Sequence, residues 1–436
     1  MRYPTISLTK GNGGIIRAYA EQNDDLLPLC GRRHTVCPQT PPPDAVIRRF
    51  EIAAIQKDLV YNRFGDHDPE GLIFVPMEQL REVQNGCKRP IPLILRANAG
   101  DWIEVTLHNM LDPDRPVKYN DYPSVPLDFP HEPSNRVSLN PQFLKYDPVA
   151  SSGINVGYNA VEQTAAPGES IRYLWHADRE YGPALLSSFG DLRNHRHHGL
   201  FGAIIIEPPG SRYYSSIRAV DENYKETAVI TAPGAETFRE FVLFAHNGIR
   251  LLDKDGALIK TTEQDLEEEA TGHEAPDHED TGEKGYNYRS ERFFNRLKRV
   301  PIISKIFDSK THGDPATPLF QSYVGERVIF RLLMPADKPR NISFALHGHR
   351  WSAQPDDSLT RTVPIQGAVS VGNVFSIEPE RAKYPGDYLY RSGSLRWDVE
   401  SGMWGIFRVM KRNIRCHCET VCRSAKQWWE KKWYEK

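Results

Sequence analysis

The sequence predicts an all-β chain made of two Greek-key β-sandwich domains, on three observations. Its apolar segments are short, rich in Val, Ile, Phe and Tyr, and several alternate with polar residues at period two. Gly, Pro and Asp punctuate them at short intervals, the rhythm of sandwiches and barrels. The pattern also runs through twice. NAGDWIEVTLHNML in the first half corresponds to YVGERVIFRLLMPA in the second, and GLFGAIIIEP corresponds to SGMWGIFRVM, as duplication of one β-domain produces.

Taken in order, residues 1–45 form an irregular lead-in that ends in CPQTPPPDA, where successive prolines withhold backbone donors. The first domain, 46–212, carries the strand candidates VIRRFEIAAIQ, PIPLILRA, DWIEVTLHN, SIRYLWHA and GLFGAIIIEP. The second, 213–412, carries TAVITAP, EFVLFAHNGIRLL, ERVIFRLLM, NISFALHGHRW, NVFSIEP, GDYLYRS and GMWGIFRVM. Within it, 261–285 is acidic and poor in apolar residues, so it is expected to be a mobile insertion containing His273 and His278 as solvated side chains. The tail, 413–436, is basic and aromatic. Trp429 and Trp433 share a face if it is helical, which suits either packing on the body or contact with a membrane surface.

With 436 residues the chain can fill two or three domains of about 100 to 200 residues each. A formal net charge of −2 gives no global field for nucleic acid, which is excluded as a partner. No apolar run approaches the roughly 18 residues of a membrane span, and MRYPTISLTKGNGG has no signal-peptide core. The six cysteines avoid the middle of the chain. Cys30 and Cys37 flank an N-terminal loop, while Cys416, Cys418 and Cys422 surround His417 in a pattern open to a soft metal or to disulfides.

Two histidine pairs are the chemistry-bearing candidates. In FALHGHRW, His347 and His349 lie one residue apart and would share a face on a strand, and His195 and His197 in RNHRHHG would do so if extended, with His198 pointing away. Four neutral imidazoles from the two halves would suit Cu(II) or Zn(II), copper the more strongly. His176 and His246 are single histidines on apolar segments and read as structural.

The stretches PGESIRYLWHAD, GLFGAIIIEPPGS, FALHGHRW and GDYLYRSGSLRWDVESGMWGIFRV together resemble the multicopper oxidases, which are built from cupredoxin domains. VYNRFGDHDPEGLIFV, LKYDPVASSGINVGYN and YNYRSERF are similar to the bacterial branch that includes manganese-oxidising members, and the likeness spans roughly 46–412. The resemblance implies a copper cofactor, dioxygen, a small-molecule or metal-ion reductant, an extracytoplasmic or surface setting and a possible homo-oligomer. It also implies which ligands are missing. Asn140-Pro141-Gln142 stands where one His-x-His pair is expected, His195 and His197 keep another, and Ile342, Ala345, His347 and His349 match a longer histidine run. Gly393 occupies the place of the cysteine, Asp398 that of the following histidine, and Met403 that of the axial ligand. A type 1 copper needs the thiolate, so Met403 is expected in the core. The expectation is therefore a multicopper-oxidase-like protein of reduced copper content, held at His195, His197, His347 and His349, or a metal-free cupredoxin scaffold.

Overall fold

The computed structural model describes residues 6–10, 16–20, 40–115, 133–192, 194–214, 224–259, 283–335, 341–355 and 357–411. The first half builds two sheets. One has the strand order Lys145–Tyr146, Ser170–His176, Trp102–Asn109, Ile47–Gln56, Leu72–Pro76, and the other Leu93–Asn98, Phe201–Glu207, Gly182–Ser187, Asn140–Pro141. Alternation explains the first sheet: along Trp102–Asn109 every second residue is buried, so Ile103, Val105 and Leu107 enter the core that Leu93, Leu95, Ile204 and Trp175 complete from both sheets.

The second half repeats the plan. Phe238–Ile249 pairs parallel with Val328–Leu333, as Ile47–Gln56 does with Trp102–Asn109, and Leu319–Tyr323 pairs parallel with Trp404–Met410, as Leu93–Asn98 does with Phe201–Glu207. The segments matched by sequence thus hold matching places in the topology. Phe330, Phe344, Phe320 and Phe407 fill the second core, and Met403 lies among them, fully buried.

Phe201–Glu207 and Phe238–Ile249 are buried along their whole lengths rather than at alternate residues. A strand covered on both faces reads as a continuous apolar run. Here the second cover comes from the other half, because Leu185, Phe201 and Ile205 pack with Val242, Phe244 and Leu333 in a core shared between the halves.

Four charged side chains are sealed in the same seam. Glu240 accepts hydrogen bonds from Arg96 through Nε (3.0 Å) and Nη2 (2.7 Å) on one oxygen, and from Arg331 Nε (3.0 Å) on the other. Arg331 Nη2 also donates to both oxygens of Glu207, at 2.9 and 3.1 Å. Burial opposes charge on Glu240, yet the two guanidinium groups and Glu207 hold it down at about 2. Glu207 moves upward, because burial and the neighbouring Glu240 outweigh Arg331.

Of the expected lead-in 1–45, mobile insertion 261–285 and tail 413–436, residues 1–39 apart from two short paired strands at Ile6–Lys10 and Ile16–Ala20, residues 261–282 and the whole tail lie outside the described residues, and with them His273, His278, Cys416, Cys418, Cys422, Trp429 and Trp433. The insertion is corrected at its end, because 283–285 belong to the buried strand Glu283–Tyr286, which pairs with Phe238–Ile249. Among the described residues no helix is long and apolar enough to cross a membrane.

Candidate metal centre

Neither histidine pair lies on extended backbone. His195 and His197 occupy a succession of turns in which Leu200 N bonds to His195 O and His198 N to Asn194 O. The strand that leads to His347 ends at Leu346, and Gly348, with φ +74°, reverses the chain in a left-handed conformation that favours glycine. A Cβ at Gly348 would also stand 3.2 Å from the Tyr388 ring. The expected sharing of a face is therefore corrected: His347 is exposed whereas His349 is buried against the rings of Tyr388 (4.6 Å) and Phe407 (5.8 Å).

The ring nitrogens tell which imidazoles have a lone pair to give. His195 Nε2 faces the carbonyl of Ser134 at 3.0 Å, so it carries the proton and donates; Nδ1 then accepts from Ser188 Oγ at 2.9 Å. Both positions are thus committed, and burial lowers the group to about 4, with Asp191 opposing in part. His347 Nε2 accepts from Arg391 Nε at 2.9 Å, which sets a guanidinium where a cation would bind. Partial burial and this charge both lower its pKa. His349 donates Nδ1–H to the His347 carbonyl at 3.1 Å, the orientation that leaves Nε2 as the basic nitrogen.

His197 is half-buried beside His246, which its apolar segment predicts to be structural. Around it lies a crowd of imidazoles not expected as a group. His198 Nδ1 meets Asp68 Oδ2 at 2.9 Å, while its Nε2 is buried with no hydrogen-bond partner among the described residues. Burial works against a charge on His198, but Asp68 overrides it and holds the imidazole above its ordinary pKa. His246 is fully buried, edge-on to Phe201 at 5.2 Å, and burial together with His197 and His198 lowers it to about 3. Neither of its ring nitrogens makes a hydrogen bond of ordinary geometry, although the His197 backbone lies close enough to favour its proton. The sequence signal for this group is HRHH before one apolar strand and His246 within another, apolar segment of the second half.

Residues at the other positions implicated by resemblance have structural duties. Asn140 Nδ2 donates to Ser152 O at 2.6 Å, and Gln142 Nε2 reaches Gly372 O at 2.8 Å in the other half. A Cβ at Gly393 would meet Ser343 Oγ at 2.0 Å, so a thiol there requires that hydroxyl to move. Asp398 pairs with the buried Lys284 ammonium at 3.4 Å. His176 stacks on Trp102 at 4.7 Å. Among the described residues no group of three or more His, Cys, Asp or Glu side chains is placed to hold a metal ion, and His195, His197, His347 and His349 form none.

No family model and no curated protein matches the chain. Among solved structures it is similar to a multicopper oxidase at 18% identity and a TM-score of 0.50, over 85% of this chain and 92% of that one. It is also similar to the copper nitrite reductase from Nitrosomonas europaea, at 16% identity and a TM-score of 0.46, over 84% and 95% of the two chains. The fold is all-β and cupredoxin-like, as the sequence predicts.

Proposed function

We propose that this chain is a cupredoxin-fold scaffold of the multicopper-oxidase kind that acts by binding, without the oxidase's electron path. The observation that carries the reading is the hydrogen bonding of His195: with Nε2 protonated toward Ser134, its one lone pair, on Nδ1, is spent on Ser188, and a metal gains it only by displacing that hydroxyl. Arg391 against His347 and Lys284 against Asp398 add positive charge at two more of the implicated positions. Such a set does not fit a copper centre, which needs soft or neutral donors with open lone pairs. Fold alone does not dictate chemistry, and a sandwich survives the loss of its site.

A second reading keeps copper. It is favoured by His198, oriented through Asp68 with its other nitrogen buried and unpaired, beside His246. In that case His195, His197, His347 and His349 would join only after rearrangement, and dioxygen with a small-molecule or metal-ion donor would be the reactants. Surface attachment through the 413–436 tail and assembly into a homo-oligomer belong to either reading.

Copper loading decides between them. The purified chain is equilibrated with Cu(II), and separately with Cu(I) under reductant, then desalted and measured by elemental analysis, visible absorption and paramagnetic resonance. The scaffold reading expects less than about a tenth of an equivalent retained and no intense blue thiolate band. Retention of one equivalent, lost in His198→Ala and His246→Ala, would replace it with the copper reading.

A further inference from the structure

A cavity of about 710 Å³ lies away from the histidines and is large enough for a small organic ligand. It opens where both halves meet. Its walls are Phe64–Asp66 from the first half, the turn at 253–259, the helix Phe293–Arg299 and the segment Arg396–Ser401. Large apolar side chains stand exposed at its mouth, with Phe294 at 61%, Ile303 at 62% and Leu258 at 46% of full exposure. Arg292 and Lys298 both lie over the Phe294 ring, at 5.7 and 5.9 Å, so a molecule resting on that ring meets two cations.

The interior is polar and almost fully paired. Asp66 Oδ2 accepts from Asn62 Nδ2 (2.7 Å), Asn295 Nδ2 (2.8 Å) and Arg292 Nε (3.0 Å). Arg292 Nη1 lies 3.6 Å from Glu283 Oε1. The exception is Glu283 Oε2: the residue is 1% exposed, lines the cavity, and that oxygen has no hydrogen-bond partner among the described residues. Burial raises the Glu283 carboxyl to about 8, with Arg292 and Lys284 opposing and Asp66 reinforcing, so near neutral pH it is an O–H donor with no acceptor among the described residues. A buried donor left unmet is destabilising, and a ligand acceptor removes that cost. With Glu283 neutral, the lining carries five cationic side chains (Lys254, Arg292, Lys298, Arg299, Arg396) against four anionic ones (Asp66, Asp253, Asp255, Glu400).

We propose that this cavity binds a small amphipathic organic anion, a carboxylate or sulfonate on an aromatic or aliphatic body. Its acid group accepts from Glu283 beside Arg292, and its body lies on Phe294, Ile303 and Leu258. The site is independent of copper: it stands or falls whatever the histidines hold.

The test uses the full chain titrated with 1-anilinonaphthalene-8-sulfonate, followed by fluorescence. Saturable one-site binding is expected, weakened at least about tenfold by Phe294→Asp and by Lys298→Glu, both exposed positions whose replacement leaves the core intact. Affinity for the sulfonate falls as pH rises through about 8, when Glu283 ionises, and this fall is absent in Glu283→Gln. Binding that fails to saturate, or that both mouth substitutions leave unchanged, overturns the proposal. The same titration on copper-free and copper-treated protein separates its failure from that of the scaffold reading, which only the metal measurement addresses.

Discussion

Glu240→Gln is the most informative single perturbation of the seam between the halves. The carboxylate takes three guanidinium N–H bonds, two from Arg96 on one oxygen and one from Arg331 on the other, and the Arg96 and Glu240 side chains are both fully buried. Whichever oxygen the amide nitrogen replaces, it turns a donor toward a guanidinium and leaves that cation short of an acceptor. Breaking a buried pair by removing one partner typically costs about 3–5 kcal/mol, a large share of the roughly 5–15 kcal/mol that keeps a domain folded. The reference is Arg327→Ala, which breaks a paired but half-exposed bridge to Glu378 and should cost about 1 kcal/mol or less. Equilibrium unfolding in guanidinium chloride, compared at the midpoints, measures both. If Glu240→Gln costs no more than Arg327→Ala, the four charges do not hold the seam and the argument fails. A further arm replaces Arg96 and Arg331 by Met together with Glu240→Leu and Glu207→Leu, which should restore most of the loss because no uncompensated charge remains.

Unfolding free energy should also report on Glu283. Its folded pKa of about 8 lies above the ordinary 4.5, so between those values the folded chain holds a proton that the unfolded chain has released. Stability from this group is therefore complete below about 4.5 and falls as pH rises toward 8, by up to about 1.4 kcal/mol per pH unit. Glu283→Gln should remove that slope, and an unchanged slope would show that the carboxyl ionises normally. Arg391→Ala should raise the pKa of His347 toward 6.5, leaving only the part due to partial burial; ring-proton resonances followed against pH read it, and an unmoved value would place the guanidinium elsewhere in solution. Gly348→Ala should destabilise by about 1 kcal/mol or more, from its positive φ and the nearby Tyr388 ring, and a neutral result would mean that the turn adapts.

Sequence reasoning reached the architecture because its signals were local. The strands of DWIEVTLHN and ERVIFRLLM, and of GLFGAIIIEP and GMWGIFRVM, are visible as patterns and take matching places in the sheets. Met403 was legible as core for the same reason. The site was read less well. His347 and His349 were placed on a strand because spacing alone does not reveal that Gly348 adopts a positive φ, and Gly in a pattern of apolar residues is equally compatible with a bulge or a turn. His198 and His246 are not legible as a group, because each is unremarkable in its own segment. Asp68, some 130 residues from His198, supplies the contact that gives it meaning.

By itself the sequence determined where the chain turns polar or apolar, hence the strands, their repetition and the all-β class, since period-two burial is written residue by residue. Tertiary structure alone decided which lone pairs are spent, which charges are sealed between the halves and which carboxyl faces a cavity unpaired. Those depend on hydrogen-bond geometry and desolvation, set in large part by partners 61 to 226 positions apart such as Ser134 with His195, Glu207 with Arg331 and Asp66 with Arg292, and no local pattern encodes them.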